Sequence, residues 1–188
     1  GNWKEKVFQN NRPIVLEVGC GRGEYTVELA RNYPELNFIG IDIKGARIWR
    51  GAKTINEEHI LNGAFLRVHV EWLKEFFAPG EVKEVWVTFP DPQPQLSREN
   101  RRLTNPKFLQ LYRYLSGDDG VFHLKTDNYG LFEYTLEMLS GEKGSMEACT
   151  DDLYANTPEG FNLSIQTTYE KKFLQEGLKI NYLRFRWA

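Results

Sequence analysis

The sequence predicts an α/β fold with a single doubly wound, mostly parallel sheet that carries helices on both faces. Short apolar runs alternate with segments of helical periodicity along most of the chain, and a cluster of glycines directly follows the first apolar run. Connections of this kind are right-handed crossovers, which make successive strands parallel. Because no segment is rich enough in proline, glycine or serine to divide the chain, we expect one domain over residues 1–188.

The first half of the chain predicts alternating strands and helices. Residues 13–18 are apolar, mostly β-branched or leucine, and end at the glycine cluster, so they predict the first strand. Residues 24–32 have the composition of a helix. The alternation continues with a strand at 37–42, a helix at 46–60 with apolar residues at helical spacing, and a strand at 65–70.

The second half repeats the pattern and then departs from it. Residues 84–89 predict a fourth strand, and 91–102 are polar and interrupted by prolines, which predicts a long loop of the kind that often carries function. From Met146 onward the alternation breaks down. The other predicted elements are a helix around 108–115, a strand at 120–126, a helix at 131–139, a turn at Pro158–Gly160 and a last strand at 179–187, expected to be antiparallel.

Composition excludes several classes of protein. The 188 residues are 41% hydrophobic and 27% charged, which is ordinary for a globular chain and unlike a disordered or coiled-coil protein. No apolar run reaches the roughly 18 to 20 residues of a membrane span, and none has the pattern of a signal peptide, so we expect a cytoplasmic protein without membrane contact. Two cysteines and three histidines lack zinc-ligand spacing, and no metal is expected.

Charge and the first residues add two expectations. The formal net charge is −2, so a nucleic-acid partner would have to meet a local basic patch, because the molecule as a whole does not attract polyanions. The chain begins Gly-Asn-Trp without an initiator methionine, from which we expect that an N-terminal extension is missing.

The loop after the first predicted strand carries Glu17 and three glycines, Gly19, Gly21 and Gly23. Glycine suits a turn with positive φ angles and the close approach of a ligand to the backbone. A dinucleotide fingerprint would place its third glycine at position 24, where Glu24 would repel a pyrophosphate. The spacing instead resembles the first motif of class I methyltransferases, whose S-adenosylmethionine has cationic groups. A tight strand-to-helix turn is the alternative.

Ligands of doubly wound sheets bind at the carboxyl ends of the strands, where two more carboxylates are expected. Asp42 ends the second predicted strand, where its carboxylate can accept both hydroxyls of a ribose. Asp91 follows the fourth strand in Phe89-Pro90-Asp91-Pro92, and the prolines stiffen the backbone around it. A rigid carboxylate can accept both the N1 and N2 protons of a guanine. A proline-stiffened surface turn is the alternative.

Polar clusters near this edge of the sheet leave two interpretations open. Arg98, Arg101 and Arg102 could meet phosphates, or they could form a solvated face. Residues 125–128 close the fifth predicted strand, and residues 167–170 are expected to follow a later strand. Both clusters could read sugar, phosphate and base edges, or Asp127 or Asn128 and Thr168 could cap helices. The tryptophans are expected to pack in the core.

Six motifs, in order, carry a resemblance to a known family. The combination resembles the bacterial tRNA (guanine-N7-)-methyltransferases, and it covers the chain from about residue 13 to its end. The motifs are Glu-Val-Gly-Cys-Gly-Arg-Gly, Gly-Ile-Asp, Phe-Pro-Asp-Pro, Arg-Arg-Leu-Thr, His-Leu-Lys-Thr-Asp-Asn and Thr-Thr-Tyr-Glu-Lys-Lys-Phe.

The resemblance implies a Rossmann-like class I methyltransferase fold and S-adenosylmethionine as the methyl donor. The implied substrate is a guanosine of the tRNA variable loop, position 46 in tRNA numbering, with tRNA as the partner and no obligatory protein partner. The implied cofactor residues are Glu17, Gly19, Gly21, Gly23, Asp42 and Asp91, with Asp91 also catalytic, and the implied substrate residues are Asp127, Thr167, Thr168, Tyr169 and Glu170.

The chain departs from the family pattern at two places. The family usually continues Asp-Pro-Trp-Pro-Lys-Lys, whereas Gln93, Gln95 and Leu96 stand here, so the lysine that contacts the substrate is absent. Gln95 is expected as a substrate residue at this place, and Arg98, Arg101 or Arg102 as the substitute for the lysine, with a different reach and geometry. The acidic residue expected near the adenine is replaced by His69, with Glu71 two residues later on the same side of an extended chain. His69 and Glu71 are therefore expected at the cofactor, with the adenine contact made either by the backbone or by Glu71.

Two other functions remain open on the sequence. The acidic balance and the missing lysines favour a methyltransferase acting on another substrate. A noncatalytic RNA-binding module with this fold is the second alternative, although a mere binder would have no need of Glu17, Asp42 and Asp91 together.

Overall fold

The described part of the chain forms one mixed sheet. The computed structural model describes residues 1–159 and 163–188, so the predicted turn at Pro158–Gly160 lies partly outside the described residues. The strands of the described ranges are β1 (Ile14–Val18), β2 (Asn37–Asp42), β3 (Gly63–Arg67), β4 (Val82–Thr88), β5 (Val121–Thr126), β6 (Gly144–Thr150) and β7 (Asn181–Trp187).

The strand order is β3-β2-β1-β4-β5-β7-β6, and it explains where a ligand can bind. Strands β1 to β5 pair in parallel, whereas β7 runs antiparallel to both β5 and β6. The chain winds outward from β1 in one direction and then from β4 in the other, so the crevice between the carboxyl ends of β1 and β4 is the switch point of the sheet. The predicted mostly parallel sheet with an antiparallel last strand is confirmed.

Helices cover both faces of this sheet. They are α1 (Glu24–Asn32), α2 (Gly45–Glu57), α3 (Pro106–Ser116), α4 (Tyr129–Ser140) and α5 (Thr168–Gln175). Side chains of β1 alternate between two cores: Ile14, Leu16 and Val18 pack with α3 and α4, whereas Val15 packs with α1. Glu17 therefore points to the α1 face, where it is a charged group in apolar surroundings.

Three local predictions need correction. The third strand ends at Arg67 and not at residue 70, because a short 3-10 helix, Val70–Glu75, begins there. A second 3-10 helix, Leu96–Arg101, interrupts the predicted long loop. Residues 167–170 do not follow a strand: Thr167 is the N-cap of α5, with its hydroxyl accepting from Glu170 N at 3.2 Å. The Thr-x-x-Glu spacing is the sequence signal for that helix start.

Two of the five tryptophans contradict the expectation that they pack in the core. Trp86 and Trp187 are buried, whereas Trp49 on α2 and Trp72 after β3 are 61% and 62% exposed. Large aromatic side chains at that exposure are not needed for packing, so the surfaces around them are candidates for contacts with other molecules.

Candidate active site

A cleft of about 270 Å³ opens at the switch point of the sheet. Its walls come from three distant parts of the sequence: the glycine loop after β1, the end of β4 at Thr88 and Phe89, and the start of α5 at Thr167–Tyr169. The fold therefore brings the first, third and last of the six motifs to one place.

The glycine loop is shaped by backbone conformations that favour glycine. Gly19, Gly21 and Gly23 have φ angles of 77°, 55° and 73°. A Cβ at Gly21 would meet no atom within 4 Å, so this residue leaves the backbone open to a ligand. A Cβ at Gly23 would lie 2.4 Å from the ring of Phe65, so this glycine also makes room for packing between the loop and β3.

Glu17 is buried beneath the loop with all its bonds to protein. One carboxylate oxygen accepts from the backbone N–H of Thr26 at 2.9 Å and from the Thr26 hydroxyl, and the other accepts from the Thr88 hydroxyl. Burial raises the pKa of Glu17 to about 7, although these hydrogen bonds favour the ionised form. Glu17 thus links β1, α1 and β4 and gives the floor of the cleft a group that titrates near neutral pH.

Asp42 joins the second strand to the glycine loop. Its carboxylate accepts from Gly21 N at 3.0 Å and from Lys44 N at 2.8 Å. Each oxygen has one protein donor, which leaves acceptor capacity on both for the hydroxyls of a sugar. The carboxylate therefore supports the loop whether or not a ligand is bound.

The proline loop is held in a defined conformation at the mouth of the cleft. Phe89 and Gln93 have positive φ angles of 48° and 43°, and the Asp91 carboxylate accepts from Gln93 N at 3.1 Å. Arg102 donates from Nε to the Gln93 carbonyl at 3.2 Å and lies over the ring of Tyr134. Asp91 itself is exposed, and the turn and the arginine fix where it stands.

The arginines and the glutamine of this region differ in their surroundings. The side chain of Arg102 is half-buried and supports the loop, so its role in the structure is first to position Asp91. Arg101 and Gln95 are exposed beside the loop. Asp91 and Gln95 are thus both exposed, whereas Arg102 is bonded to the carbonyl of Gln93, which lies between them in the sequence.

Glu170, expected to contact substrate, lies instead in the interior. It is fully buried, its carboxylate forms an ion pair with Lys125 at 2.7 Å, and it accepts from the Tyr154 hydroxyl at 2.7 Å. Burial lowers the pKa of Lys125, and its ammonium also donates to the carbonyls of Leu163 and Ile165. A carboxylate with such partners positions α5 and is not presented to a ligand. The expectation that Glu170 contacts the substrate is therefore wrong.

Thr168 at the start of α5 is bound by Glu24 at the start of α1, a contact that the sequence did not reveal. The Glu24 carboxylate accepts from Thr168 N at 2.6 Å and from its hydroxyl at 2.8 Å, across a sequence separation of 144 residues. Thr167, Thr168 and Tyr169 consequently form one wall of the cleft. Only the position of Glu24, directly after the glycine loop, could have drawn attention to it.

Three other predicted residues lie outside the cleft. His69 is exposed against Trp72 in a neighbouring shallow hollow, with ring centroids 5.9 Å apart. Glu71 pairs with Lys107 at 2.8 Å, and that bond lowers the pKa of Glu71. Asp127 is half-buried after β5, and burial raises its pKa. The cap of α4 is its neighbour Asn128, which accepts from Leu131 N at 2.8 Å, so Asp127 is not used for capping.

The described residues contain no group of three or more histidines, cysteines, aspartates or glutamates arranged to hold a metal ion. Within the same residues no helix is both long and apolar enough to cross a membrane.

Comparisons with known proteins agree with this geometry. A family described as "Putative methyltransferase" matches residues 11–183. The chain is 51% identical over 187 residues to a tRNA (guanine-N(7)-)-methyltransferase of Christiangramia forsetii, covering 99% of this chain and 84% of the relative. It is 47% identical over 189 residues to the protein of that name from Cytophaga hutchinsonii, covering 100% and 85%.

A solved structure shares the fold at low sequence identity. The 16S rRNA methyltransferase KamB superposes with a TM-score of 0.74 at 14% identity, covering 98% of this chain and 92% of KamB. That likeness establishes the architecture alone, whereas the identity to the relatives above extends along nearly the whole sequence. The chain belongs to the tRNA (guanine-N(7)-)-methyltransferase family.

Proposed function

We propose that this protein transfers a methyl group from S-adenosylmethionine to N7 of a guanosine in the tRNA variable loop, at position 46 in tRNA numbering. The observation that carries the proposal is the convergence of three distant family motifs on one cleft at the switch point. The reaction is assigned to a single domain spanning residues 1–188, which acts with its tRNA substrate in the cytoplasm.

The residues of the cleft fit S-adenosylmethionine, which supplies an electrophilic methyl group on a cationic sulfur when bound. Gly21 leaves the backbone open, and no side chain there would obstruct a ligand. Glu17 and Glu24 line the cleft together with Arg22 and Arg47, and the two carboxyl groups favour the sulfonium and ammonium groups of the ligand. Asp42 has acceptor capacity for the ribose hydroxyls. We assign His69 and Glu71 only to the surface outside the cleft, beyond the position proposed for the adenine of the cofactor.

Asp91 is the residue we assign to the reacting guanine. N7 has an in-plane lone pair and is unprotonated at neutral pH, so no base is needed to create the nucleophile. A carboxylate that accepts from N1 and N2 of the guanine would orient the ring, and it would stabilise the positive charge that develops as N7 is methylated. The proline turn and Arg102 keep this carboxylate in place before the substrate arrives.

The start of α5 is assigned to the same nucleotide. Thr167, Thr168 and Tyr169 line the cleft opposite the glycine loop. The half-buried Asp127 directly follows β5, and the exposed Gln95 and Arg101 lie at the two ends of the 3-10 helix that follows the proline loop. Hydroxyl, amide, carboxylate and guanidinium groups together suit a nucleotide's sugar, phosphate and base.

The direct test is to identify the methylated nucleoside. The protein is incubated with methyl-labelled S-adenosylmethionine and unmodified tRNA transcript, and the digested RNA is separated by chromatography. We expect labelled 7-methylguanosine that disappears when the variable-loop guanosine is replaced by adenosine. Another labelled nucleoside, or label that survives the replacement, would contradict the proposed substrate position.

A further inference from the structure

The outer face of α2 concentrates positive charge in a chain whose net charge is −2. Residues 44–53 contain four cationic side chains and no acidic one. Arg47, Arg50 and Lys53 follow one another at intervals of three residues, so they share one side of the helix, and Trp49 stands among them at 61% exposure. The other side of α2 is buried through Ile48 and Gly51.

This face is continuous with the cleft. A Cβ at Gly51 would lie 3.0 Å from the backbone oxygen of Arg22, so α2 packs directly against the glycine loop. Arg22 and Arg47 both line the cleft. We call Arg22, Arg47, Trp49, Arg50 and Lys53 the α2 basic face.

Little negative charge within the described residues offsets this face. The guanidinium groups of Arg22, Arg47 and Arg50 form no ion pair there. Lys53 pairs with Glu57 at 3.6 Å, and its ammonium lies 5.4 Å from the centre of the Trp49 ring. The carboxylates of Glu24 and Asp42 beside the cleft accept hydrogen bonds from backbone amides and, within the described residues, form no ion pair with these arginines. Neighbouring like charges on a helix destabilise it slightly, so an external polyanion would relieve their repulsion.

We propose that the α2 basic face docks the tRNA backbone next to the target nucleotide, with Trp49 stacking on an unpaired base. The inference rests on the proposed function, since it takes the RNA of that reaction as the occupant. Arginines meet phosphates, and an exposed indole is a stacking surface for bases in single-stranded loops. The face meets the need for a local basic patch, and it lies across the cleft from the proline loop.

The first test measures tRNA binding without a methyl donor at several salt concentrations. Each phosphate contact contributes about one unit to the slope of log affinity against log salt, so Arg47→Gln with Arg50→Gln should reduce the slope by about 2. Lys6→Gln with Lys143→Gln is the matched control: it removes the same charge from exposed lysines at the opposite end of the sheet, and its slope should equal that of the unaltered protein.

The second test separates stacking from charge. Trp49→Ala should weaken tRNA binding roughly ten-fold without changing the salt slope, and Trp49→Phe should restore most of the affinity because a ring remains. Thermal unfolding of each variant verifies folding. Arg50→Gln alone, at an exposed position of the face, should still lower the salt slope by about 1.

The outcomes distinguish this inference from the proposed function. If the α2 variants bind tRNA with the affinity and slope of the lysine control, the docking face is wrong, even where 7-methylguanosine is formed. If the α2 variants lose binding but the unaltered protein yields no 7-methylguanosine, the docking face stands and the proposed reaction fails. If the α2 variants lost affinity for anionic lipid vesicles while their binding of tRNA was unchanged, the docking of tRNA on the α2 basic face would likewise be wrong.

Discussion

Glu17 and Asp91 are two carboxylates of one site in opposite surroundings. Glu17 is buried under the glycine loop with its oxygens bonded to Thr26 and Thr88, and burial raises its pKa to about 7. Asp91 is exposed at the mouth and bonded to a single backbone amide. The first carboxylate supports the cleft from inside, and the second is presented to whatever enters it.

Replacement of Glu17 by glutamine should change how stability depends on pH. The carboxyl ionises near 4.5 in the unfolded chain and near 7 in the folded one, so the folded state binds more protons in this interval. The free energy of unfolding therefore falls as pH rises from 4.5 to 7, by up to about 3 kcal/mol, and is constant above. Urea unfolding at pH 5 and pH 8 should show that the free energy of unfolding of Glu17→Gln lacks this decrease.

The control for that prediction is an exposed glutamate with no special environment. Glu35→Gln should follow the unaltered protein at both pH values. Parallel pH curves for Glu17→Gln and the unaltered protein would show that Glu17 is ionised throughout, contrary to the effect of its burial.

Replacement of Asp91 by asparagine should reduce turnover while leaving cofactor affinity almost unchanged. The amide keeps the shape of the side chain but removes the negative charge proposed to face the guanine, and loss of one such electrostatic contact lowers turnover about 100-fold or more. Single-turnover methyl transfer and calorimetry with S-adenosylmethionine measure the two quantities. Asp151→Asn, at an exposed acid elsewhere, should behave as the unaltered protein.

Asp42→Ala should show the reverse pattern. Its carboxylate holds Gly21 N and is proposed to accept the ribose hydroxyls, so cofactor affinity should fall. Equal turnover in Asp91→Asn and the unaltered protein would refute the role of Asp91, and unchanged cofactor affinity in Asp42→Ala would refute that of Asp42.

At the scale of elements, the start of α5 is held from two sides. Glu170 anchors it in the interior through Lys125, and Glu24 binds Thr168 at the surface. The exposed contact contributes little stability, because charged groups at the surface are well solvated. Its effect is to connect the residue that follows the glycine loop to the wall of the cleft that is proposed to contact the substrate.

Glu24→Ala should loosen that wall without unfolding the protein. Thr168 N loses its acceptor, so hydrogen exchange in the peptide covering 163–170 should become faster, and the KM for tRNA should rise several-fold while the melting temperature changes little. Glu28→Ala, one turn further along α1 and bonded to Arg31, is the matched control. Unchanged exchange in Glu24→Ala would mean that the surface contact does not hold α5.

At the scale of the whole molecule, one buried ion pair connects the sheet to the last third of the chain. Lys125 is the last residue but one of β5, and its ammonium reaches Glu170 of α5 and the carbonyls of Leu163 and Ile165. Both charged side chains are fully buried. Such a pair is tolerated because each charge has its partner, and loss of one partner leaves the other uncompensated.

Lys125→Met should therefore lower the global free energy of unfolding by about 3–5 kcal/mol. The measurement is urea unfolding, with a lower midpoint and an unchanged slope. Adding Glu170→Gln should recover part of the loss, because the uncompensated carboxylate is removed. A single variant as stable as the unaltered protein would show that the pair is not coupled to global folding.

Much of the architecture follows from short-range patterns that the sequence shows directly. Apolar runs and helical periodicity predicted β1, α1, β2 and the alternation of parallel strands with helices, because burial on a two-sided sheet imposes those patterns locally. The glycine loop, Asp42 and Asp91 could be assigned to one edge of the sheet for the same reason: parallel strands end on the same side.

Contacts between distant residues were decided only by the tertiary structure. Nothing near Glu170 in the sequence indicates that it would form a buried ion pair with Lys125. Nothing near Glu24 indicates a hydrogen bond to Thr168 across 144 residues. The end of β3 at Arg67 likewise depended on how the following turn packs. Local propensity is encoded in neighbouring residues, whereas burial and pairing of a charged group depend on which surfaces meet when the sheet is assembled.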